Sequence, residues 1–186
     1  MGIGVAGIDE AGRGALAGPV VAAAVVLGPK PWPVFHDSKA ISAHRRVGLF
    51  DWIMAHATVG IGVIGHDMID QVNILQATMM AMVQAVDHLP QSPEWVWVDG
   101  NRIPRPLQGR ATPIVDGDVW VSCISAASIV AKVTRDRMMT EWSHHYIQYG
   151  FDRHFGYGTR QHYEVLNEWG PSPIHRHSFR LAKRVA

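Results

Sequence analysis

The sequence alternates short apolar runs, bounded by Gly or Pro, with longer segments whose apolar residues recur at helical spacing. Runs of the first kind predict β-strands over residues 3–8, 20–27, 58–64, 94–98 and 112–115. The longer segments predict helices over residues 42–55, 67–89, 122–142 and 162–169. Early strands followed by helices that alternate with single strands predict an α/β fold, a mixed sheet flanked by helices with its first three strands antiparallel.

Length and composition are those of one soluble globular domain. The chain has 186 residues, of which 47% are hydrophobic and 18% are charged, enough for one full core and too few for two comfortable domains. A single cysteine, Cys123, excludes a disulfide framework and a cysteine-rich zinc site. We expect Cys123 to be a small buried side chain.

No segment predicts secretion or membrane insertion. Residues 1–11 carry acids and no basic stretch, unlike a signal peptide. The longest apolar run, residues 19–27, is too short for a bilayer core of roughly 30 Å. We therefore expect a cytoplasmic protein with no membrane partner.

Charge is divided unevenly along the chain. Residues 1–100 hold five Lys/Arg against nine Asp/Glu, and residues 101–186 hold twelve against seven, so the two parts carry −4 and +5. After Glu168 there is no acid, while four basic residues follow, Arg176, Arg180, Lys183 and Arg184. The division is either chance or the mark of an acidic catalytic part beside a basic part that holds a polyanion.

Four acids stand close to the predicted strand ends. Asp9 and Glu10 follow the first strand, Asp99 follows another, and Asp118 comes just past a third. Ligand sites of open α/β sheets gather beyond strand ends, and clustered carboxylates normally require a hard cation such as Mg²⁺ or Mn²⁺. Because neighbouring strand residues point to opposite faces, Asp9 and Glu10 can share a site only if the strand ends or bends there. The alternative is that these acids cap helices or hold turns.

Two glycine patterns suggest nucleotide binding but do not fit its context. Residues 2–7 match GxGxxG, yet this pattern begins at the second residue and runs into a strand, whereas the dinucleotide fingerprint needs a preceding strand and a following helix. Gly12-Arg13-Gly14 lacks the Gly-Lys-Ser/Thr ending of a phosphate-binding loop.

Several segments form a recognisable set when they are taken together. Residues 7–19 are an opening signature, and residues 125–133 form a Ser-Ala-Ala-Ser segment leading to Arg135-Asp136. The other segments of the set are residues 37–39, 73–78, 98–101, 117–118, 156–159 and 175–179. In order and spacing these segments, which run from residue 7 to residue 179, resemble the bacterial type 2 ribonuclease H family, ribonuclease HII.

The resemblance implies a ribonuclease H-like fold in which Asp9, Glu10, Asp99 and Asp118 are the catalytic, metal-binding carboxylates. It implies two divalent ions, Mn²⁺ or Mg²⁺, and hydrolysis of the RNA strand of RNA–DNA hybrids. It also implies nicking on the 5′ side of ribonucleotides embedded in duplex DNA, with 3′-hydroxyl and 5′-phosphate ends. The expected organisation is one catalytic domain, residues 1–186, with a basic helical C-terminal segment at about 143–186, acting as a monomer.

The same resemblance implies the substrate-binding residues. Backbone groups of Gly12, Arg13 and Gly14 would contact the 2′-hydroxyl that distinguishes RNA from DNA, and the Tyr157 ring would stack on the next sugar and reject a second 2′-hydroxyl. Without the resemblance, Tyr157 reads equally well as a half-buried core aromatic. The candidates for phosphate contacts are Lys39, Arg176 and Arg180.

Some positions depart from the usual family pattern or compete with these assignments. Asp116, Ala40 and Phe155 stand where lysines are common, and Ala15 replaces a common proline, so we expect weaker hybrid binding with a shallower salt dependence. Asp136, between Arg135 and Arg137, is a rival fourth ligand that we assign to ion pairing. His175 and His177 are expected to be solvated or to face phosphate.

Two rival functions remain open at this stage. One is a nucleic-acid-binding module of the same fold that has lost catalysis, which the presence of all four carboxylates disfavours. The other is a nuclease of the same superfamily that cuts DNA alone. Cleavage tests with EDTA and with an all-DNA duplex separate these from a ribonuclease.

Overall fold

The structure is a computed structural model that describes residues 4–35 and 41–181. Its centre is a five-stranded sheet in the order β3-β2-β1-β4-β5. The strands are β1 (Val5–Ala11), β2 (Val20–Val26), β3 (Thr58–Ile64), β4 (Trp95–Asp99) and β5 (Ala111–Ile114). Strand β2 pairs antiparallel with β1 and β3, whereas β1, β4 and β5 run parallel. The sheet is therefore mixed, and the predicted α/β class is confirmed.

Seven α-helices accompany the sheet within the described residues. They are α1 (Ala43–His56), α2 (His66–Val72), α3 (Ile74–Asp87), α4 (Gly117–Trp120), α5 (Ser122–His145), α6 (Phe151–His154) and α7 (Arg160–Trp169). Short 3₁₀ turns form at Arg105–Leu107 and Ile147–Tyr149. The Ser42 hydroxyl caps α1 by accepting from the Arg45 amide at 3.3 Å. Among residues 4–35 and 41–181, no helix is both long and apolar enough to cross a membrane.

Both faces of the sheet are covered, which explains why β2 has no polar residue. Ala22 and Ala24 pack in the layer that contains α2 and α3, and Ala23 and Val25 pack in the layer that contains α1 and α5. All seven residues of β2 are buried. A strand covered on both faces is expected to be a continuous apolar run rather than an alternating one.

The single helix predicted over residues 67–89 is wrong, because two helices meet at Asn73. Asn73 has φ 70°, a left-handed value that Asn tolerates better than most residues. Its side-chain oxygen accepts from the Gln76 amide at 3.1 Å and so caps α3. The apolar periodicity continues across the break, which hides it in the sequence.

The C-terminal part of the chain packs against the loop between β1 and β2. A third buried cluster joins Ala17 of this loop to Met139, Tyr149, Phe151 and Ile174. Residues 170–181 contain no helix, but bridges between Ala15 and Tyr157 and between Ala17 and His175 tie the loop to two C-terminal segments. The loop that precedes β2 is therefore held by residues more than 100 positions away.

Candidate active site

The acids predicted as ligands come together at one edge of the sheet. Strands β1, β4 and β5 are parallel, so their C-terminal ends share that edge. Asp9 and Glu10 lie near the end of β1, Asp99 is the last residue of β4, and Asp118 lies in α4 just after β5. The prediction that β1 ends before Asp9 is wrong, because the strand continues through both acids to Ala11.

Asp9 and Glu10 remain close although they are neighbours within a strand. Asp9 accepts a hydrogen bond from the Ser128 side chain of α5, and its Oδ1 accepts from the Glu10 amide at 2.6 Å. The Glu10 carboxylate interacts electrostatically with both Asp9 and Asp99. From the sequence, the strand had to end or bend at these two acids if they were to share a site. Their position near the end of β1 meets this condition, and the strand is not interrupted between them.

The electrostatics of this edge disfavour negative charge. Burial, followed by the Glu10 carboxylate and more weakly by Asp99, raises the pKa of Asp9 well above its ordinary value. Burial also raises the pKa of Glu10, and Asp99 adds to this, while Arg13 at 3.1 Å opposes it. Carboxylates crowded in a low-dielectric site lose ionisation unless a cation compensates them.

Asp118 joins the group through its backbone. Its side chain is buried, and its amide donates to Asp99 Oδ1 at 3.3 Å. The Ser125 hydroxyl donates to the Asp118 carbonyl at 2.6 Å and fixes α4 to the first turn of α5. Asp9, Glu10 and Asp99 therefore lie close enough to interact electrostatically, and Asp118 is linked to Asp99 by a main-chain hydrogen bond.

The donor set suits a hard divalent cation, although it is not a closed cage. Four carboxylates are the ligands that Mg²⁺ and Mn²⁺ prefer. Within residues 4–35 and 41–181, no three His, Cys, Asp or Glu side chains are arranged to hold an ion as they stand. Burial, together with repulsion from Glu10, raises the pKa of Asp9, and a bound cation would offset both effects.

A cleft of about 420 Å³ opens beside Glu10. Its walls come from the end of β1, the start of the β1–β2 loop, α5 and the segment before α7: Glu10, Ala11, Gly12, Arg13, Gly14, Ser128, Lys132 and Tyr157. Four residues predicted to bind substrate, Gly12, Arg13, Gly14 and Tyr157, are thus together next to the carboxylates. The cleft is large enough for part of a nucleotide.

Two buried arginines support the β1–β2 loop that lines this cleft, and one of them, Arg176, was predicted to contact phosphate. Arg176 is fully buried, and its guanidinium donates to the carbonyls of Gly18, Arg13 and Pro19 at 2.9, 3.1 and 3.0 Å. A phosphate contact by Arg176 does not fit this position. Arg135, which carried no predicted role, donates to the carbonyls of Pro19, Phe155 and Ala17 at 2.9, 2.9 and 3.0 Å.

These arginines explain why glycine occupies position 12. Gly12 has φ 95°, and a Cβ there would overlap Arg135 Nε. The carbonyls of residues 13 and 17–19 accept from Arg135 and Arg176, and Gly12, Arg13 and Gly14 of the same loop line the cleft. The sequence pattern marked the glycines, but the buried cations beneath them gave no signal beyond their position in the motif.

The remaining predicted contacts have different outcomes. Lys39 lies outside the described residues, and Arg180 is exposed in the C-terminal segment. Asp136 accepts from Lys132 Nζ at 2.8 Å, so its assignment to ion pairing is confirmed. His175 is fully buried, and the expectation of a solvated or phosphate-facing side chain is wrong for it. The buried thiol predicted for Cys123 is confirmed.

Solved structures with a similar fold include ribonucleases of the H2, HII and HIII types. The ribonuclease H2 from Pyrococcus horikoshii matches with a TM-score of 0.76 and 28% identity, over 96% of this chain and 94% of that one. The ribonuclease HII in a PCNA complex from Archaeoglobus fulgidus matches with 0.78 and 25%, over 97% and 96%. Bst-RNase HIII in complex with Mn²⁺ shares the fold, with 0.66 and 19%, over 95% of this chain and 67% of that one. Fold and site together define a nuclease of the ribonuclease H class.

Sequence comparison places the chain within that class. A family model described as ribonuclease HII matches residues 6–182, and the chain belongs to the ribonuclease HII family. The ribonuclease HII of Burkholderia thailandensis is 54% identical over 94% of this chain and 82% of its own length. That of Parvibaculum lavamentivorans is 46% identical over 97% and 68%. The protein is therefore a ribonuclease H enzyme that acts on nucleic acid.

Proposed function

We propose that this ribonuclease H cleaves the RNA strand of RNA–DNA hybrids and nicks 5′ of single ribonucleotides embedded in duplex DNA. The observation that carries the proposal is that two features lie side by side at one edge of the sheet. Asp9, Glu10 and Asp99 interact there, and the adjoining cleft contains Gly12–Gly14 and Tyr157. One feature supplies hydrolytic chemistry and the other supplies recognition of the sugar.

In this proposal the carboxylates of Asp9, Glu10, Asp99 and Asp118 hold two divalent ions, Mn²⁺ or Mg²⁺. Such ions, when bound, activate the attacking water and stabilise the leaving 3′-oxygen. The protein's own contribution is to hold the carboxylates ready: Ser128 hydrogen-bonds Asp9, and the Asp118 amide holds Asp99 Oδ1. The products would carry 3′-hydroxyl and 5′-phosphate ends.

Recognition of the ribose follows from the shape of the β1–β2 loop. A protein distinguishes RNA from DNA by contact with the 2′-hydroxyl. The carbonyls of residues 13 and 17–19 are taken by Arg135 and Arg176, so the loop cannot easily rearrange. We infer that the backbone of Gly12, Arg13 and Gly14 offers the polar groups for this hydroxyl, since glycine permits a close approach.

Tyr157 is proposed to recognise the junction between RNA and DNA. Its half-buried ring lines the cleft, with the Arg135 guanidinium 5.1 Å and Lys132 Nζ 5.4 Å from the ring centroid. Cations on an aromatic face restrict the ring's orientation. A ring fixed in this way can pack on a deoxyribose and exclude a second 2′-hydroxyl. Lys39 and the exposed Arg180 are proposed for phosphate contacts.

The direct test is a DNA duplex with one ribonucleotide, incubated with and without Mn²⁺, followed by mapping of the cut. We expect one metal-dependent nick that leaves the ribonucleotide at the 5′ end of the downstream product. Cutting in EDTA would overturn the proposed metal role. Equal cutting of an all-DNA duplex would overturn the role proposed for the 2′-hydroxyl.

A further inference from the structure

Three buried histidines form a stacked group behind the substrate cleft. The rings of His154 and His162 stack with centroids 4.3 Å apart, and those of His162 and His175 lie 5.1 Å apart. All three side chains are buried. The carboxylate chemistry makes no use of them, and they come from three separate segments of the C-terminal part of the chain.

Hydrogen bonds to main-chain groups fix where each proton of this group lies. The Ser172 amide donates to His175 Nδ1 at 2.8 Å, so that nitrogen carries no proton and His175 Nε2 does. His175 Nε2 then donates to His162 Nε2 at 2.9 Å. His162 is therefore protonated on Nδ1, which donates to the Tyr157 carbonyl at 3.0 Å. A directed chain of bonds runs from the Ser172 amide to the backbone of Tyr157.

The same argument keeps the pair neutral. A second proton on His162 would set two N–H groups against each other across the 2.9 Å contact with His175, and a second proton on His175 would point at the Ser172 amide across 2.8 Å. In agreement, burial lowers the pKa of both histidines to about 4. Every ring nitrogen of the three histidines has a hydrogen-bond partner, His154 through the Tyr149 carbonyl and the Gly156 amide, which leaves none free to bind a metal.

The hydrogen-bonded series from His175 to Tyr157 is joined at both ends to the β1–β2 loop that lines the cleft. Tyr157 pairs with Ala15 and His175 pairs with Ala17 in isolated bridges. The Leu16 amide donates to Gly156 at 2.8 Å, and the Arg176 amide donates to Leu16 at 2.9 Å. The loop thus lies as a short central strand between the segment of Tyr157 and the segment of His175, with the His162–His175 pair connecting the two outer segments.

We propose that His162 and His175 are positioning residues for substrate selection, which fix Tyr157 relative to the Gly12–Gly14 loop. This inference rests on the proposed role of Tyr157. The pair touches neither the carboxylates nor the open cleft, so its effect is on which substrate is accepted. Loss of the bond from His162 to the Tyr157 carbonyl should let the ring move and so reduce the preference for a single embedded ribonucleotide.

The test uses two substitutions that separate the two nitrogens of His162. In His162→Asn the amide nitrogen replaces Nδ1 and keeps the donor to Tyr157, while His162→Gln can accept from His175 but loses that donor. The measured quantity is the ratio of single-turnover rates on a single-ribonucleotide duplex and on a long hybrid. One hydrogen bond is worth about fivefold, so His162→Gln should lower the ratio about fivefold. His162→Asn keeps the bond to Tyr157 and loses only the bond to His175, so it should lower the ratio less than His162→Gln and by the same amount as His175→Asn.

Controls separate positioning from general destabilisation. Leu166→Ala removes a buried side chain from the same helix and should reduce stability without changing the ratio. His175→Asn, whose side-chain oxygen can still accept from Ser172, should lower the ratio by breaking the bond to His162, and it replaces His162→Gln if that variant does not fold. Tyr157→Ala should lower the ratio, and His162→Gln added to it should lower it no further.

The outcomes distinguish the inference from the proposed function. An unchanged ratio in His162→Gln and His175→Asn, with a lowered ratio in Tyr157→Ala, would overturn the positioning role alone. An unchanged ratio in Tyr157→Ala would instead remove the junction role of the tyrosine, on which the inference depends.

Discussion

Asp9 shows most clearly that this edge of the sheet disfavours negative charge. Its side chain is 5% exposed, and its pKa is raised by burial and by the Glu10 and Asp99 carboxylates. A pKa above the unfolded value means that this group stabilises the fold when protonated, below the unfolded pKa. That stability is lost as pH rises through the folded pKa. In the metal-free protein Asp9 therefore costs stability at pH values above the unfolded pKa.

Asp9→Asn should accordingly stabilise the protein in EDTA at pH 7. Removing a buried, repelled charge should add at least about 1 kcal/mol, which raises Tm by roughly 2–4 °C for a chain of this size. The gain should shrink as pH falls, because wild-type Asp9 is then protonated. The control is Asp136→Asn, which removes a carboxylate paired with Lys132 at 2.8 Å and should not stabilise. A Tm for Asp9→Asn that is equal to or lower than that of the wild type at pH 7 in EDTA would contradict the electrostatic description.

Single residues also mark where sequence reasoning failed. Arg135, His162, His175 and Arg176 are polar side chains with no exposed surface. A sequence pattern assigns such residues to solvent or to ligands by default, because burial of charge depends on partners that are distant in the chain. The carbonyls of residues 13 and 17–19 are those partners here, and only the folded loop brings them to the guanidinium groups.

The spacing of apolar residues predicted which segments fold as strands and helices. It did not predict where β1 ends or where the helix after β3 is interrupted. Five strands and the long helix α5 were expected close to their observed bounds. Strand β1 was cut short because Asp9 and Glu10 are poor strand residues, yet pairing with Ala22 and Ala23 of β2 holds them in the sheet. The break at Asn73 depends on a local φ that apolar spacing does not encode.

Close packing of elements was likewise visible only in part. The small residues at the start of α5, numbers 125–128, permit a close approach to the sheet, and α5 does lie against β1. A Cβ on Gly7 would overlap the Cys123 backbone. The close approach of α3 to β3 was not predicted from the sequence. Gly60 and Gly62 face the carbonyls of Ala85 and Ala81 there, without space for a Cβ. Glycines in a strand signalled the strand but not the helix above it.

For the whole molecule, the division of charge bears on how the substrate is held. The acids of the first 100 residues include three of the four edge carboxylates, and the basic excess lies in residues 101–186. Near the active-site edge, Asp116 is exposed directly before Gly117 and Asp118, where the family commonly has a lysine. An acid at this position would repel a phosphate backbone bound at this edge, which is the physical basis of the predicted shallow salt dependence of hybrid binding.

Asp116→Lys should therefore steepen that salt dependence. If the new lysine contacts one phosphate, the slope of log K against log salt should become more negative by about 0.9. Glu94→Lys makes the same charge change at an exposed residue before β4, roughly 17 Å from Asp99 along the strand, and should have much less effect. Identical slopes for the two variants would show that position 116 does not face the nucleic acid.

The central claim is that the carboxylates of the sheet edge perform the hydrolysis, and Asp99→Asn tests it most directly. The Asn oxygen can still accept from the Asp118 amide, so the fold is kept while the charge is lost. Single-turnover cleavage of an RNA–DNA hybrid with Mn²⁺ should fall at least about 100-fold, with hybrid binding largely unchanged and Asp136→Asn as active as the wild type. Cleavage by Asp99→Asn at the wild-type rate would contradict the account.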